Sequence, residues 1–289
     1  MNKIIVITGP TGVGKTKLSV MLAKMLDGEI INADSMQVYK GLDIGTAKIK
    51  DEEKDGIVHH LFDICDVSDD YNIFRYQKDC RKIIDEILSR NKTPILVGGS
   101  GLYIKSALYN YEFNEEKFHS EFDELTNEEI LNEIKKHYEC DIHVNNRKRL
   151  VRELNKIRNE TPTTKGGNEP LYDFVTIGLT CEREKLYDII NKRVDIMVKE
   201  GLIEEVEKLY KQNIYSKAIM TGIGYKELYK YFDKEISLEE SINLIKKNSR
   251  NFAKRQYTFY NHQMNVHWIN VDFDNFENTV KEAYEYINK

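Results

Sequence analysis

The stretch Gly9-Pro10-Thr11-Gly12-Val13-Gly14-Lys15-Thr16 decides the fold, because it has the spacing of a phosphate-binding loop. The preceding run, Lys3–Ile7, is short, apolar and β-branched, which is typical of a buried parallel strand. The following run, Lys17–Leu26, places four apolar side chains on one helical face: Leu18, Met21, Leu22 and Met25. A strand, a glycine-rich loop and a helix in this order predict that backbone N–H groups and a helix N-terminus bind a phosphate.

Two side chains at the end of this loop have predicted roles in phosphate chemistry. Lys15 would neutralise phosphate oxygens, and the Thr16 hydroxyl would hold Mg²⁺, which prefers oxygen ligands. The alternative is a plain strand-to-helix turn with a surface lysine, which the complete motif in its proper context disfavours. A loop of this type does not distinguish between three classes of enzyme: kinases, nucleotide hydrolases and transferases.

Composition narrows the class of protein further. The chain has 289 residues, enough for a sizeable core with or without an insertion. No apolar run approaches the roughly 20 residues that cross a bilayer, and the first predicted strand begins at once, so we expect neither a membrane segment nor a signal peptide. The four cysteines lack metal-ligand spacing, which favours buried thiols in the cytoplasm over a zinc site.

Further strands and helices alternate along the chain. Helices are predicted at about 72–90 and 102–108, and short apolar strands at Glu29–Ala33, Pro94–Val97, Phe174–Leu179 and Val266–Val271. This alternation predicts an α/β fold with a parallel sheet flanked by helices. Residues 109–171 are polar and helix-biased, so we expect them to form a helical insertion in a core of residues 1–108 and 172–289.

Three predicted loops lie beyond the carboxyl ends of strands, where open parallel sheets bind their ligands. Besides the phosphate loop, these are the segment that begins at Asp34 and the segment Gly98-Gly99-Ser100-Gly101. Asp34 could bind Mg²⁺, cap a helix or accept a proton. The glycine-rich segment could bring backbone and a hydroxyl close to a ligand, or could serve only close packing.

An arginine and a pair of histidines also need an explanation. Arg193 interrupts an apolar helix face between Ile190 and Val194, and a buried arginine is costly without a partner. An anionic ligand would explain it, and an ion pair with Asp195 or another acid is the alternative. His59-His60 could suggest a metal, but the other ligands of a zinc site are missing, so we predict a packing or capping role.

Basic residues concentrate in two segments of a chain whose net charge is −5. The first segment contains Arg147, Lys148, Arg149, Arg152, Lys156 and Arg158, and the second contains Lys246, Lys247, Arg250, Lys254 and Arg255. An acidic protein with two such segments fits selective contact with a polyanion better than nonspecific coating. Solvated helix faces are the alternative for either segment alone.

The phosphate loop is the first of an ordered set of motifs. The others are Asp34-Ser35-Met36-Gln37-Val38-Tyr39, Gly45-Thr46-Ala47-Lys48, His59-His60-Leu61, Gly98-Gly99-Ser100-Gly101-Leu102-Tyr103, Arg193-Val194-Asp195-Ile196-Met197, Gly222-Ile223-Gly224-Tyr225-Lys226-Glu227 and Ala253-Lys254-Arg255-Gln256. In this order they resemble the bacterial tRNA dimethylallyltransferases, also called tRNA isopentenyltransferases. The resemblance covers the chain from its first residue to about residue 261.

This resemblance implies a P-loop kinase-like core with a helical tRNA-binding insertion domain. It implies transfer of a dimethylallyl group from dimethylallyl diphosphate to N6 of the adenine 3′ of the anticodon in tRNA, by a cytoplasmic monomer. By matched position, Gly9 to Thr16 would bind the diphosphate, with the cofactor Mg²⁺ at Thr16. Asp34 would be the general base, and Lys15, Thr16 and Arg193 would stabilise the departing diphosphate.

Contacts with the tRNA anticodon stem-loop are implied in the same way. The matched positions are Asp34, Ser35, Met36, Gln37, Ser100, Lys148, Arg149, Leu150, Val151, Arg152, Arg250, Lys254 and Arg255. Ser100 stands where the family usually has threonine and keeps the hydroxyl. The chain also departs from the family at residues 121–123 and 221–222, where we expect effects on tRNA preference more than on the chemistry.

Three alternative functions remain open from the sequence. An adenylate isopentenyltransferase, which prenylates free AMP, ADP or ATP, would share the loop and the aspartate but would not need a basic insertion. A small-molecule kinase would transfer from ATP and ignore prenyl diphosphate. A noncatalytic tRNA-binding protein would not need Lys15, Thr16, Asp34 and Arg193 to be intact.

Overall fold

The computed structural model describes residues 3–113, 122, 124–158 and 168–289. Glu121 and Asp123, at one of the departures from the family, lie outside these residues. The chain divides into two compact units, of which the first comprises Met1–Tyr109 with Pro170–Lys289 and the second comprises Asn110–Glu169. The second unit lies in the segment predicted as an insertion.

The first unit is built on one parallel sheet. Within the described residues its strands are β1 (Ile4–Thr8), β2 (Gly28–Asn32), β3 (His59–His60), β4 (Thr93–Val97), β5 (Phe174–Thr180) and β6 (His267–Asn270). They lie in the order β3-β2-β4-β1-β5-β6, and every neighbouring pair is parallel. The predicted α/β class is confirmed.

Helices follow the strands in chain order. They are α1 (Lys15–Met25), α2 (Ile73–Ser89), α3 (Gly101–Leu108), α4 (Asn127–Lys135), α5 (Arg147–Arg158), α6 (Arg183–Lys199), α7 (Leu202–Lys211), α8 (Lys217–Thr221), α9 (Tyr225–Phe232), α10 (Leu238–Gln263) and α11 (Phe276–Ile287), with a short 3₁₀ helix at Asp51–Glu53. None of the described helices is long and apolar enough to span a membrane.

The central strand β1 divides its side chains between two apolar cores. Ile4 and Val6 belong to the core that includes α2 and α3, whereas Ile5 and Ile7 belong to the core that includes α1 and α11. Successive side chains of a strand point to opposite faces of the sheet, so helices cover both faces of β1. This explains why all five residues of the strand are buried and why all of them except Thr8 are apolar.

Two local features differ from what the sequence pattern predicts. The strand β3 consists only of His59 and His60, which is too short for any periodicity to reveal. Met25, predicted on the buried face of α1, is 50% exposed, because it is the last residue of the helix. Leu26, the next residue, packs against the core instead.

The second unit has a small core of its own. Ile130 and Ile134, one turn apart on α4, pack against Leu150 and Leu154, one turn apart on α5, together with Phe122. The helix α4 begins with a capping box, in which Thr126 accepts a hydrogen bond from the Glu129 N–H and Glu129 accepts one from the Thr126 N–H.

A buried carboxylate secures the β2–β3 edge of the sheet. Glu29, which is 1% exposed, accepts hydrogen bonds from both terminal nitrogens of Arg90, at 2.7 and 2.9 Å, and its Oε2 lies 2.8 Å from Nε2 of His60. Lys92 Nζ lies 3.4 Å from Oε1. Burial alone would raise the pKa of Glu29, but the Arg90, His60 and Lys92 side chains outweigh it and lower the pKa to about 2. His60 therefore has a structural role as a polar partner of the buried Glu29, whereas the sequence predicts packing or capping for the histidine pair.

Replacing Glu29 should destabilise this edge of the sheet. We expect Glu29→Gln to lower the free energy of unfolding by about 2 kcal/mol at neutral pH, because the partly buried cations lose their counterion. Since folding lowers the pKa of Glu29 from 4.5 to about 2, its contribution is complete above about 4.5 and disappears as the pH falls towards 2. Urea unfolding of the variant and the wild type across this range measures the difference.

The matched control is Glu285→Gln, which removes an exposed carboxylate 4.0 Å from Lys281. An exposed ion pair of this kind contributes less than about 1 kcal/mol. If Glu29→Gln were no less stable than this control, the network would not stabilise the fold.

Candidate active site

Three loops meet at the carboxyl edge of three neighbouring strands. They follow β2, β4 and β1, which are adjacent in the sheet. Backbone hydrogen bonds join them: the Gly98 N–H donates to Ile7 O at 3.2 Å, and the Ser100 N–H donates to Ala33 O at 3.1 Å. The backbones approach so closely that a Cβ on Gly98 would lie 2.2 Å from Ala33 O. The three loops predicted from the sequence therefore form one surface.

The phosphate loop between β1 and α1 is curled at its glycines. Gly9, Gly12 and Gly14 have φ angles of +132°, +87° and +92°, in the region that side chains rarely allow. A Cβ on Gly9 would also lie 2.4 Å from Leu179 O of β5. This curl places Lys15 at the first turn of α1, where the helix dipole favours an anion.

Lys15 lies in a desolvated position at this loop. Its Nζ donates to the carbonyl oxygens of Gly9 at 3.0 Å and Pro10 at 2.7 Å. Burial, together with the nearby Arg193 guanidinium, outweighs the opposing effect of the Asp34 carboxylate and lowers the pKa of Lys15 to about 7. An anion bound at the loop would therefore stabilise the charged form of Lys15.

Arg193 extends from α6 towards the same charges. Burial lowers its pKa, and Asp34 opposes that effect. Its Nε is buried and has no hydrogen-bond partner among the described residues. The alternative is an ion pair with Asp195 or another acid; Asp195 pairs with Lys246 at 2.6 Å instead, and Asp34 is the acid that acts on Arg193. An anionic ligand remains the explanation that fits Arg193.

Asp34 is held by its neighbours in a tight turn. Its N–H donates to Oδ1 of the buried Asn32 at 2.8 Å, and Asn32 Nδ2 donates back to Asp34 O at 3.0 Å. The carboxylate Oδ1 accepts the Met36 N–H at 2.9 Å, so Asp34 caps a turn and not a helix. Its Oδ2 accepts no hydrogen bond from any residue that the structure describes, so this oxygen is available to accept a proton.

The side chains that follow Asp34 are also ordered. The Ser35 N–H donates to Ser100 Oγ at 3.1 Å, which joins the Asp34 segment to the Gly98–Gly101 segment. Gln37 Nε2 donates to Thr46 O at 3.0 Å. Met36 fits against Gly222, where a Cβ would lie 2.7 Å from Met36 Cε. Gly222, one of the positions at which the chain departs from the family, therefore leaves space for the Met36 side chain.

Sequence reasoning missed Glu205, which organises the loop that binds Gln37. Glu205 Oε2 accepts the N–H groups of Asp43 at 3.0 Å and Ile44 at 2.7 Å, and Oε1 accepts the Gly45 N–H at 3.0 Å. The Tyr225 hydroxyl donates to the same Oε1 at 2.7 Å. On an amphipathic helix such as α7 this carboxylate is indistinguishable from a surface acid, so no local signal could have identified it.

The residues present fit a magnesium ion held mainly by phosphate. No group of three or more His, Cys, Asp or Glu side chains in the described part of the chain could hold a metal ion. The exposed Thr16 hydroxyl stands at the phosphate loop and makes no hydrogen bond to a described residue. One protein oxygen, completed by phosphate oxygens and water, is a common set of ligands for Mg²⁺.

In the second unit, α5 exposes part of the first basic segment. Lys148, Arg149 and Arg152 are exposed, whereas Leu150 is fully buried in the core of the unit and Val151 packs partly against it. The helical period turns the side chains of residues 150 and 154 inward. The buried side chain of Leu150 therefore does not support the prediction that this residue contacts tRNA.

The remaining cations of this segment have partners within the unit. Lys156 pairs with Glu153 at 3.2 Å, and Arg158 pairs with Glu133 at 3.7 Å. Arg147 donates to Leu125 O at 2.6 Å and to Phe122 O at 2.9 Å, so it has a structural role.

The second basic segment lies on α10 in the first unit. Lys246 is engaged with Asp195, and Arg250 donates to Oδ1 of Asn191. Lys254 and Arg255 are exposed. Gln256, on the opposite side of the helix, donates to Gly99 O at 3.0 Å and so anchors α10 to the glycine-rich segment.

Comparisons with known proteins show the family of the chain. The family described as IPP transferase matches residues 37–263. The tRNA dimethylallyltransferase of Anoxybacillus flavithermus is 45% identical over 99% of this chain and 96% of its own length. The crystal structure of the full-length tRNA isopentenylpyrophosphate transferase of Bacillus halodurans is 41% identical, with a TM-score of 0.78 over all of this chain and 96% of that one.

A more distant structure has the same fold. It is a eukaryotic dimethylallyltransferase acting on tRNA, 28% identical, with a TM-score of 0.82 over all of this chain and 80% of that one. The similarity to both solved structures extends over the whole chain, so it includes the phosphate loop and Asp34 as well as the segment that the family match covers. The chain therefore belongs to the IPP transferase family.

Proposed function

We propose that this protein is a tRNA dimethylallyltransferase, which transfers a dimethylallyl group from dimethylallyl diphosphate to N6 of the adenine 3′ of the anticodon. The observation that carries the proposal is the grouping of Lys15, Arg193 and Asp34, whose charges act on one another at the phosphate loop. Two cations at an anion site and a carboxylate with a free oxygen beside them suit a reaction that releases diphosphate and a proton. The names of the relatives support the same reaction.

The proposed chemistry assigns one task to each charge. The allylic C–O bond breaks and its electron pair leaves with the diphosphate, while the N6 lone pair forms the new C–N bond. The loop N–H groups, Lys15 and Arg193 stabilise the charge that accumulates on the diphosphate. Asp34 accepts the proton from N6, which matters because an aromatic amine is a poor nucleophile. Mg²⁺ at Thr16 would neutralise further charge on the diphosphate.

The proposed tRNA contacts lie on both units. The target adenine must leave its stack to reach Asp34, which costs a few kcal/mol. Phosphate contacts by exposed cations offset that cost, and Lys148, Arg149 and Arg152 on α5 and Lys254 and Arg255 on α10 are exposed. Ser35, Met36 and Gln37 follow Asp34 in the chain, Ser100 accepts the Ser35 N–H, and we propose that these residues contact the nucleotides next to the target. We extend the proposal to a cytoplasmic monomer, on the basis of the family resemblance.

A transfer assay tests the function directly. The purified protein is incubated with Mg²⁺, labelled dimethylallyl diphosphate and unmodified tRNA, with free AMP and ATP in parallel reactions. We expect label in tRNA alone, mapped to the adenine 3′ of the anticodon. Label in free nucleotide would identify an adenylate isopentenyltransferase instead, and tRNA binding without any transfer would identify a noncatalytic binding protein.

Removing the carboxylate of Asp34 should separate catalysis from binding. Asp34→Asn keeps an oxygen for the Met36 N–H but loses the base, so single-turnover transfer should slow by at least ~10²-fold. Affinity for tRNA should stay close to wild type, and affinity for diphosphate should not fall, because a repelling charge has been removed. Asp195→Asn, at an exposed acid paired with Lys246, is the control. Near-normal transfer by Asp34→Asn would exclude Asp34 as the base.

Diphosphate binding should take up a proton at Lys15. The pKa of Lys15 is about 7 before binding, and the negative ligand raises it, so protonation accompanies binding above about pH 7 and affinity falls as the pH rises. Calorimetry of diphosphate binding in buffers of different ionisation enthalpy measures the uptake. Lys15→Arg should abolish it, because a guanidinium stays charged, whereas Lys24→Arg, on the exposed side of α1, should leave it unchanged. Equal uptake by both variants would contradict the assignment.

A further inference from the structure

Four side chains converge between α6 and α10, and two of them, Arg183 and Tyr187, have no ligand assigned by the motifs or by the active-site geometry. Arg183 and Tyr187 lie one turn apart on α6, and Arg250 and Lys254 lie one turn apart on α10. The Arg183 Cζ, Arg250 Cζ and Lys254 Nζ atoms lie 5.3, 5.9 and 5.8 Å from the centre of the Tyr187 ring. Arg183 Nε also donates to the Tyr187 hydroxyl at 3.0 Å. We call these four residues the Tyr187 cluster.

The charge of the Tyr187 cluster is not balanced by an acid. None of its three cations forms an ion pair with a carboxylate in the described ranges, although Glu182 and Glu184 flank Arg183 in the sequence. Arg250 bonds to the neutral side chain of Asn191, whereas Lys246, one turn earlier on the same helix, is paired with Asp195. Three cations held around one ring repel each other, so an anion bound among them would relieve that repulsion.

Tyr187 itself responds to this positive charge. Desolvation acts to raise its pKa, but the Arg183 and Lys254 side chains outweigh it, and the pKa lies below its usual value. Tyr187 and Arg250 are partly buried, whereas Arg183 and Lys254 are exposed. A phosphate fits this chemistry, since guanidinium groups bind its oxygens through paired N–H donors and an ammonium adds a point charge.

Arg183, at the start of α6, is separated along the helix from Arg193 of the candidate diphosphate site. Arg183 precedes Arg193 by ten residues on α6, which corresponds to roughly 15 Å along a helix. We expect a diphosphate bound at Lys15 and Arg193 to leave Arg183 available for a second anion. One helix therefore carries a cation for each of two anions.

We propose that the Tyr187 cluster binds a backbone phosphate of the tRNA, so that α6 holds the leaving diphosphate at one position and the RNA at another. This inference rests on the proposed function. It adds Arg183 and Tyr187 to the tRNA contacts and gives Arg250 and Lys254 a shared ligand. The same chemistry could be satisfied by a free diphosphate, and the experiment distinguishes the two sources.

The test measures the affinity for unmodified tRNA over a range of salt concentrations, without the prenyl donor. Arg183→Gln and Lys254→Gln should each weaken binding about fivefold to tenfold at physiological salt and reduce the slope of log K against log salt by about one unit. Arg183→Lys should keep the wild-type slope, because it retains the charge. Lys199→Gln, at an exposed lysine near the other end of α6, is the matched control and should change neither quantity.

Binding of dimethylallyl diphosphate by the same variants identifies the source of the phosphate. We expect its affinity to be unchanged in Arg183→Gln and Lys254→Gln. Weaker diphosphate binding with a wild-type salt slope for tRNA would assign the Tyr187 cluster to the free ligand and overturn the proposal, as would unchanged binding of both. A wild-type protein that binds tRNA but transfers no label would instead refute the proposed function, so the two failures are distinguishable.

Discussion

The site depends on how closely the backbone loops approach each other at the carboxyl edge of the sheet. Gly9 lies against a carbonyl of β5, and Gly98 lies against the carbonyl of Ala33, at distances that leave no space for a side chain. This close approach brings the phosphate loop, the Asp34 turn and the glycine-rich segment onto one surface. Lys15 and Asp34 belong to two of these loops, and Arg193 of α6 acts electrostatically on Lys15 and is itself affected by Asp34.

The balance of charge at this surface suits an anion that arrives and then departs. Lys15 and Arg193 are both desolvated, and the carboxylate of Asp34 compensates only part of their charge. In the proposed mechanism a diphosphate completes the balance, and it gains further charge as the prenyl group leaves, when the two cations stabilise it most. In the proposed mechanism Asp34 loses its negative charge when it accepts the proton, which removes a source of repulsion from the leaving group.

Carboxylates of the first unit show how one residue type takes different roles through its contacts. Glu29 is buried among Arg90, His60 and Lys92 and secures one edge of the sheet. Glu205 accepts three backbone N–H groups and a tyrosine hydroxyl and orders the loop that binds Gln37. Asp34 keeps one oxygen without a hydrogen bond from a described residue, and it alone of the three stands beside the phosphate loop. The number of donors around each carboxylate separates a structural role from a chemical one.

The sequence by itself determined the strand, loop and helix that hold Lys15, the parallel sheet and the positions of Asp34 and Ser100 after its strands. These features follow from apolar periodicity and glycine spacing, which act between residues close in the chain. Only the tertiary structure decided that Asp195 pairs with Lys246, that β3 exists and that Glu205 accepts hydrogen bonds from a loop far away in the chain. Each of these depends on a contact between segments far apart in the chain, and a local pattern contains no information about which surfaces will meet.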